Sequence, residues 1–234
     1  MCKSDFVSGK PYLPQLVPLC CSGSRATVRT GIAGDVLNSA SDRAQLRQHL
    51  KRLRRGVPQA QRRAAARAVA QHARRSFNLR PGLRLALYSP LPDELDTAPL
   101  VQLALRHRCR IYLPRITDRR ARRMQFIEAG GAMRRNHLGI LEPLRARSLP
   151  VRCLDLVFVP LVGFDATGMR LGMGAGYYDR AFAFLRQRTR WFHPRLIGLA
   201  YSLQQVAHIE GAPHDVRLHG VITEKGPIKC TTGY

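Results

Sequence analysis

Acidic residues are scarce in this chain: 15 Asp and Glu stand against 39 Lys and Arg in 234 residues, a formal net charge of +24. A charge of that size favours polyanions, whether nucleic acid, an anionic membrane or a polyglutamylated substrate. The excess is almost all arginine, and no recognised nucleic-acid-binding pattern accompanies it. A compositional bias spread over solvated faces therefore accounts for it better than a nucleic-acid partner. Long apolar runs are missing too, and none approaches the ~20 residues that a membrane-spanning helix needs. The six cysteines, Cys2, Cys20, Cys21, Cys109, Cys153 and Cys230, include no Cys-x-x-Cys, and no histidine stands at zinc-finger spacing. They read as reduced thiols of a cytoplasmic protein, with Cys109 and Cys153 buried in apolar, strand-like runs. There is no internal repeat, and no Ser-His-Asp or Cys-His arrangement for nucleophilic catalysis.

What is present suits a single core, with 45% hydrophobic residues over a length that needs no second domain. Residues 1–40 show neither helical nor strand periodicity and are expected to be a disordered extension or the product of an upstream start. Pro14 and Pro18 interrupt the apolar stretch a signal peptide would need, and Leu19 before Cys20 disfavours a lipoprotein site. The domain proper is expected over 41–225, followed by a short tail, 226–234. A first helix opens at Ser41 or Asp42 as N-cap and runs to Arg55, with Leu46, Leu50 and Leu53 as its buried stripe. Gly56 ends it, and Pro58 suits the first turn of a second helix. Strands are expected at Leu83–Tyr88, Cys109–Leu113, Met124–Ile127, Leu154–Pro160 and Arg195–Tyr201, with a short last one at Val221-Ile222. A helix capped by Asp96 or Thr97 covers Ala98–His107. This alternation predicts an α/β fold: a three-layer α/β/α sandwich around a Rossmann-like, mostly parallel sheet.

The chemistry is expected in Gly163–Arg180, which follows the strand ending near Val162 and leads into a helix starting near Ala181. Gly172, Gly174 and Gly176 at alternate positions let the backbone approach a ligand and turn its N–H groups toward an anion. Arg170 offers a phosphate-pairing cation and Asp179 a magnesium-capable carboxylate. The glycines alone are equally consistent with a tight strand-to-helix connection that packs Tyr177 and Tyr178 into the core, since the loop is neither the dinucleotide fingerprint nor a Walker loop. By spacing alone Arg43 and Arg47, one turn apart, form a solvated basic face that could also grip one phosphate.

The string from Pro160 to Asp179, however, resembles without a gap the Pro-x-x-x-Phe-Asp-x-x-Gly-x-Arg-Leu-Gly-x-Gly-x-Gly-Tyr/Phe-Tyr-Asp pattern of the 5-formyltetrahydrofolate cyclo-ligases. Arg43-Ala44-Gln45-Leu46-Arg47, Leu85–Ser89 with Asp93–Thr97, and Pro213–Thr223 match further family segments in order, over roughly residues 42–224. The resemblance implies an enzyme that uses ATP and Mg²⁺ to cyclise 5-formyltetrahydrofolate, with or without a polyglutamate tail, to 5,10-methenyltetrahydrofolate, releasing ADP and phosphate. It assigns ATP contacts to Arg43, Arg47, Arg170, Leu171, Gly172, Met173, Gly174, Ala175, Gly176, Tyr177 and Tyr178. Folate contacts fall on Glu94 and on Met173 to Tyr177, with Arg170 and Tyr177 as catalytic residues and Asp179 and Asp215 as magnesium ligands. Read without it, Glu94 is an exposed loop acid, Asp179 a helix-dipole partner and Asp215 a turn residue.

The chain departs from the pattern at Met173 and Ala175, where some members carry a basic residue, and at His219, where an acid is often found. The alternatives are a divergent ATP-using relative acting on another pterin or formyl compound, and an inactive, basic nucleic-acid-binding variant of the fold. An intact glycine loop and Glu94 argue against them.

Overall fold

The structure is a computed structural model that describes residues 40–136, 139–144, 147–187 and 193–230. All of them belong to one compact unit, Leu37–Tyr234; the other unit, Met1–Val36, lies outside the described residues, as does nearly all of the expected extension 1–40. Helix α1 covers Ala40–Arg55 and α2 Gln59–Ser76; α3 covers Ala98–Arg106 and α4 Tyr177–Ala181. The strands are β1 (Arg84–Ala86), β2 (Arg110–Asp118), β3 (Arg123–Glu128), β4 (Met133–Arg135), β5 (Leu141–Pro143) and β6 (Ser148–Leu149). After these come β7 (Leu156–Pro160), β8 (Gly163–Phe164), β9 (Arg170–Leu171), β10 (Arg195–Leu199), β11 (Gly220–Thr223) and β12 (Gly226–Lys229).

Eight strands form one sheet in the order β12-β11-β10-β7-β1-β2-β3-β6. Its centre, β11-β10-β7-β1-β2, is parallel, and β12, β3 and β6 join antiparallel at the margins. Successive side chains of a strand point to opposite faces, and both faces here are apolar. Leu85, Ile111, Leu156, Phe158, Ile197, Leu199 and Ile222 pack with Ala65, Val69, Ala70 and Ala73 of α2 and Leu100 and Ala104 of α3. Ala86, Tyr112, Val157, Val159, Leu196 and Val221 pack on the other face with Phe182 and Leu185. The small residues of α2 let it lie close to the sheet. These are the three layers of the expected mostly parallel α/β sandwich. Among the described residues no helix is long and apolar enough to cross a membrane.

Several local expectations are corrected. Helix α1 already includes Ala40, so neither Ser41 nor Asp42 is its N-cap. Its buried row is Leu50 and then Arg54, whereas Leu53 is 43% exposed. Pro58 precedes α2 as its cap; at α3 the expected cap holds, with Thr97 at the N-cap position and Asp96 accepting the first N–H, from Ala98 at 2.9 Å. Thr97 instead donates to the Tyr88 carbonyl at 3.0 Å. The expected tail from residue 226 forms β12, so Val221-Ile222 is not the last strand. Cys109, Cys153 and Cys230 are free thiols, but Cys153 is only half-buried.

Candidate active site

Strand β7 does not run straight into the glycine loop. Between them the chain makes a two-stranded hairpin, β8 and β9, closed by Asp165. The Asp165 carboxylate is fully buried and accepts from the Thr167 and Met169 backbone N–H groups and from Ile209 N at 2.8–3.1 Å. A buried charge is tolerable only with such a set of donors. The hairpin delivers Arg170 and then the loop 172–176, where Gly174 and Gly176 adopt φ of 97° and 69°, left-handed conformations that an L side chain rarely takes. Helix α4 begins directly after them, four residues earlier than expected, and is only five residues long. A one-turn helix adds little dipole field, so an anion at this loop would depend on loop N–H groups and side chains.

Above the carboxyl ends of β1, β7 and β2, where ligands bind in open α/β sheets, lies a cavity of about 630 Å³. Its wall includes Arg43 and Arg47 from α1, Glu94 from the loop after β1, Arg170, the whole glycine loop, Tyr177, Tyr178 and Asp179, and Asp215 from the segment before β11. Every residue given an ATP, folate, catalytic or magnesium role from the sequence lines it except Leu171. That side chain is fully buried with Leu50, Val162, Met169 and Ile209, and its backbone pairs with Gly163 in the hairpin. His219 is not at the cavity; it is half-buried on the sheet, where its Nδ1 accepts from Leu196 N at 3.0 Å, and burial lowers its pKa.

The charges interlock. Arg170 donates to Asp179 Oδ1 at 2.5 Å and to the Val216 carbonyl, and Asp179 Oδ1 also accepts from Val216 N at 3.1 Å. Arg43 donates twice to Asp215 Oδ2 at 3.2 Å, and the same oxygen accepts from Ala212 N at 2.9 Å. Arg47 Nε donates to the Gly172 carbonyl at 2.9 Å; burial, then the Arg43 charge, lower its pKa. Three arginines and three carboxylates thus line a cavity that is balanced in charge, inside a chain of net +24.

The donor set fits a hard divalent cation. Among the described residues Asp179 Oδ2 accepts no hydrogen bond and Asp215 Oδ1 is met only by His214 at 3.8 Å, so each carboxylate keeps one oxygen available. One or two carboxylates suffice for magnesium, which retains its waters. Among the described residues no group of three or more His, Cys, Asp or Glu gathers as a cage for a metal.

Glu94 is not an exposed loop acid. Its side chain is 8% exposed, and its Oε2 accepts from Leu91 N at 3.0 Å. Burial raises its pKa, and Arg54, 3.9 Å away without a hydrogen bond, does not offset it. The Tyr178 hydroxyl is buried with no hydrogen-bond partner among the described residues, and its pKa is raised, first by burial and then by the Glu94 charge.

Sequence reasoning missed the opposite wall: Pro114 and Ile116 of β2, Met124 of β3, and Asn136 and Ile140 in the connection between β4 and β5. The extension of β2 past Leu113 contributes Pro114 and Ile116 to this wall, and Pro114 disguises it as the end of the strand. Tyr88 was also missed, although its position just beyond β1 marks the ligand side of such a sheet.

A sequence profile of the 5-formyltetrahydrofolate cyclo-ligase family matches residues 39–224. The chain is 33% identical to a 5-formyltetrahydrofolate cyclo-ligase of Haemophilus influenzae, over 77% of this chain and 96% of that protein. It is 34% identical to the Escherichia coli (strain K12) protein of that name, over 59% of this chain and 76% of the relative. The solved structure of a 5,10-methenyltetrahydrofolate synthetase from Aquifex aeolicus superposes with a TM-score of 0.67 at 25% identity, covering 82% of this chain and 94% of that one.

Proposed function

The chain belongs to the 5-formyltetrahydrofolate cyclo-ligase family, and from that premise we propose that it converts 5-formyltetrahydrofolate and ATP to 5,10-methenyltetrahydrofolate, ADP and phosphate. One observation carries the reading: four separate segments bring Arg43 and Arg47, Glu94, the glycine loop with Asp179, and Asp215 to one cavity. A formamide oxygen is a poor leaving group. Transfer of the γ-phosphoryl group to that oxygen breaks its bond to ADP and activates the formyl carbon. N10 then attacks this carbon and gives up its proton, and phosphate leaves with the former formyl oxygen. The work asked of the protein is positioning and charge neutralisation. The loop N–H groups, Arg43 and Arg47 hold the nucleotide, and Arg170 sets Asp179 in place and adds positive charge. Tyr177 and the loop backbone border the folate, and Glu94 meets the amino-pyrimidine edge with two parallel hydrogen bonds. Asp179 and Asp215 would hold magnesium, which supplies positive charge to the polyphosphate.

The test is direct. Protein supplied with ATP, Mg²⁺ and 5-formyltetrahydrofolate forms the methenyl chromophore with equimolar phosphate; a folded sample that yields neither refutes the reading. Asp179→Asn keeps an acceptor for Val216 N but removes the charge, so turnover should fall by about 10²-fold or more at limiting Mg²⁺. Near-normal turnover there would leave Asp179 as only a partner of Arg170.

A further inference from the structure

The cavity wall is short of positive charge for the nucleotide just described. Arg43 is held by Asp215, Arg170 by Asp179 and the Val216 carbonyl, and Arg47 by the Gly172 carbonyl. The loop's own side chains, Met173 and Ala175, carry no charge. A triphosphate entering this balanced wall would meet three guanidinium groups that already have protein acceptors.

A fourth reaches the loop from elsewhere. The turn between β2 and β3 carries Arg119, Arg120 and Arg122, and Arg122 takes a left-handed φ of 52°. That conformation is uncommon outside glycine, and here it accompanies a guanidinium brought to the site: a β-carbon built on Gly176 would stand 3.9 Å from Arg122 Nη1. Gly176 lines the cavity and opens α4. Unlike the three wall arginines, the exposed Arg122 has no hydrogen-bond or ion-pair partner among the described residues. A planar fork of donors with no carboxylate to satisfy it is suited to phosphate oxygens.

We propose that Arg122 is a nucleotide-binding residue, the cation that meets the phosphates over the glycine loop and supplies from the β2–β3 turn the charge the loop itself lacks. The proposal rests on the reading that ATP phosphates lie at that loop. Two parts of the chain distant in sequence would then close on the same anion, so the turn would be ordered by nucleotide and not by folate.

Binding of a non-hydrolysable ATP analogue with Mg²⁺, and separately of 5-formyltetrahydrofolate, tests it on the full chain. Arg122→Ala should weaken the analogue roughly tenfold, the loss of one charge-assisted contact, and leave folate affinity unchanged. Arg122→Lys should recover part of it, since an ammonium cannot form the fork. Arg122→Gly accepts the left-handed turn without strain and serves should the alanine variant fold poorly. Arg120→Ala, an equal loss of charge in the same turn, should bind both ligands like the parent. Unchanged analogue binding in Arg122→Ala or Arg122→Gly overturns the proposal, as does an equal loss in Arg120→Ala, which would make the effect a diffuse field. Weakened folate with unchanged analogue overturns it in favour of the folate's carboxylates. Failure of the parent protein to bind the analogue removes the nucleotide reading itself, and the role of Arg122 with it.

Discussion

Asp93 and Glu94 adjoin in the chain but belong to different regions, the junction with helix α1 and the cavity, and their environments push them apart. Asp93 faces Arg54, which is 1% exposed and donates to it at 2.7 and 3.1 Å and to the Leu161 carbonyl at 3.3 Å. Burial alone would raise the Asp93 pKa, yet the Arg54 hydrogen bonds and charge hold it below the usual carboxylate range. Glu94 has the burial without a comparable partner, and its pKa is raised. One carboxylate is satisfied by the protein and fixes the loop; the other is left under-satisfied where a ligand can complete it. Opposite shifts on neighbouring acids separate a structural role from a functional one.

The strongest way to break this comparison is at the junction. Arg54→Ala leaves Asp93 without its partner and opens a hole beneath the loop, so it should cost about 3–5 kcal/mol in denaturant unfolding. A loss within the range of a surface substitution would mean that Arg54 is not the anchor. In the cavity, Glu94→Gln should weaken 5-formyltetrahydrofolate by roughly 10- to 100-fold, the range for a hydrogen bond to a charged group, while nucleotide affinity stays put. Equal weakening of both ligands would show that the loop had moved.

The smallest effect is the most diagnostic. The raised pKa of Glu94 means that its contribution to stability is complete below its ordinary value of 4.5 and is lost as pH rises through the folded value. Glu94→Gln should therefore melt above the parent at neutral pH, with the gap closing in acid. Asp93 has the opposite sign: its contribution is present above 3.8 and lost as pH falls through the lowered folded value. Asp93→Asn should thus melt below the parent at neutral pH and converge with it only in stronger acid. Melting curves of both variants against pH would expose any error, since parallel profiles cannot come from opposite shifts.

The sequence reveals the sheet's parallel centre, because its strands are apolar on both faces, and the glycine loop, because its spacing is unusual. It hides what tertiary partners decide. Leu46, Leu50 and Leu53 make a plausible buried stripe, but the row continues to Arg54, whose burial depends on Asp93, thirty-nine residues away. The two-residue strands β8 and β9 are too short for any alternation, and all three residues of β4 are exposed. Leu171 shows the limit of a motif: it sits between two cavity residues, yet β9 turns its side chain into the core. The acids named for magnesium and the arginines were visible as residue types, whereas the pairing of Asp179 with Arg170 and of Asp215 with Arg43 came only from the fold.

The last strand has a consequence for handling the protein. β12 covers the open side of β11 with antiparallel pairs from Gly220–Lys229 to Thr223–Gly226. Just beyond it Cys230 packs on the turn of the β8–β9 hairpin, where a β-carbon on Gly168 would lie 3.0 Å from that of Cys230. A chain cut back to Lys225 would keep every residue of the cavity wall and still lose solubility, because bare N–H and C=O groups on β11 invite a second molecule to add its own strand. Aggregates of such a shortened chain would report an unprotected sheet margin, with the chemistry of the cavity untouched.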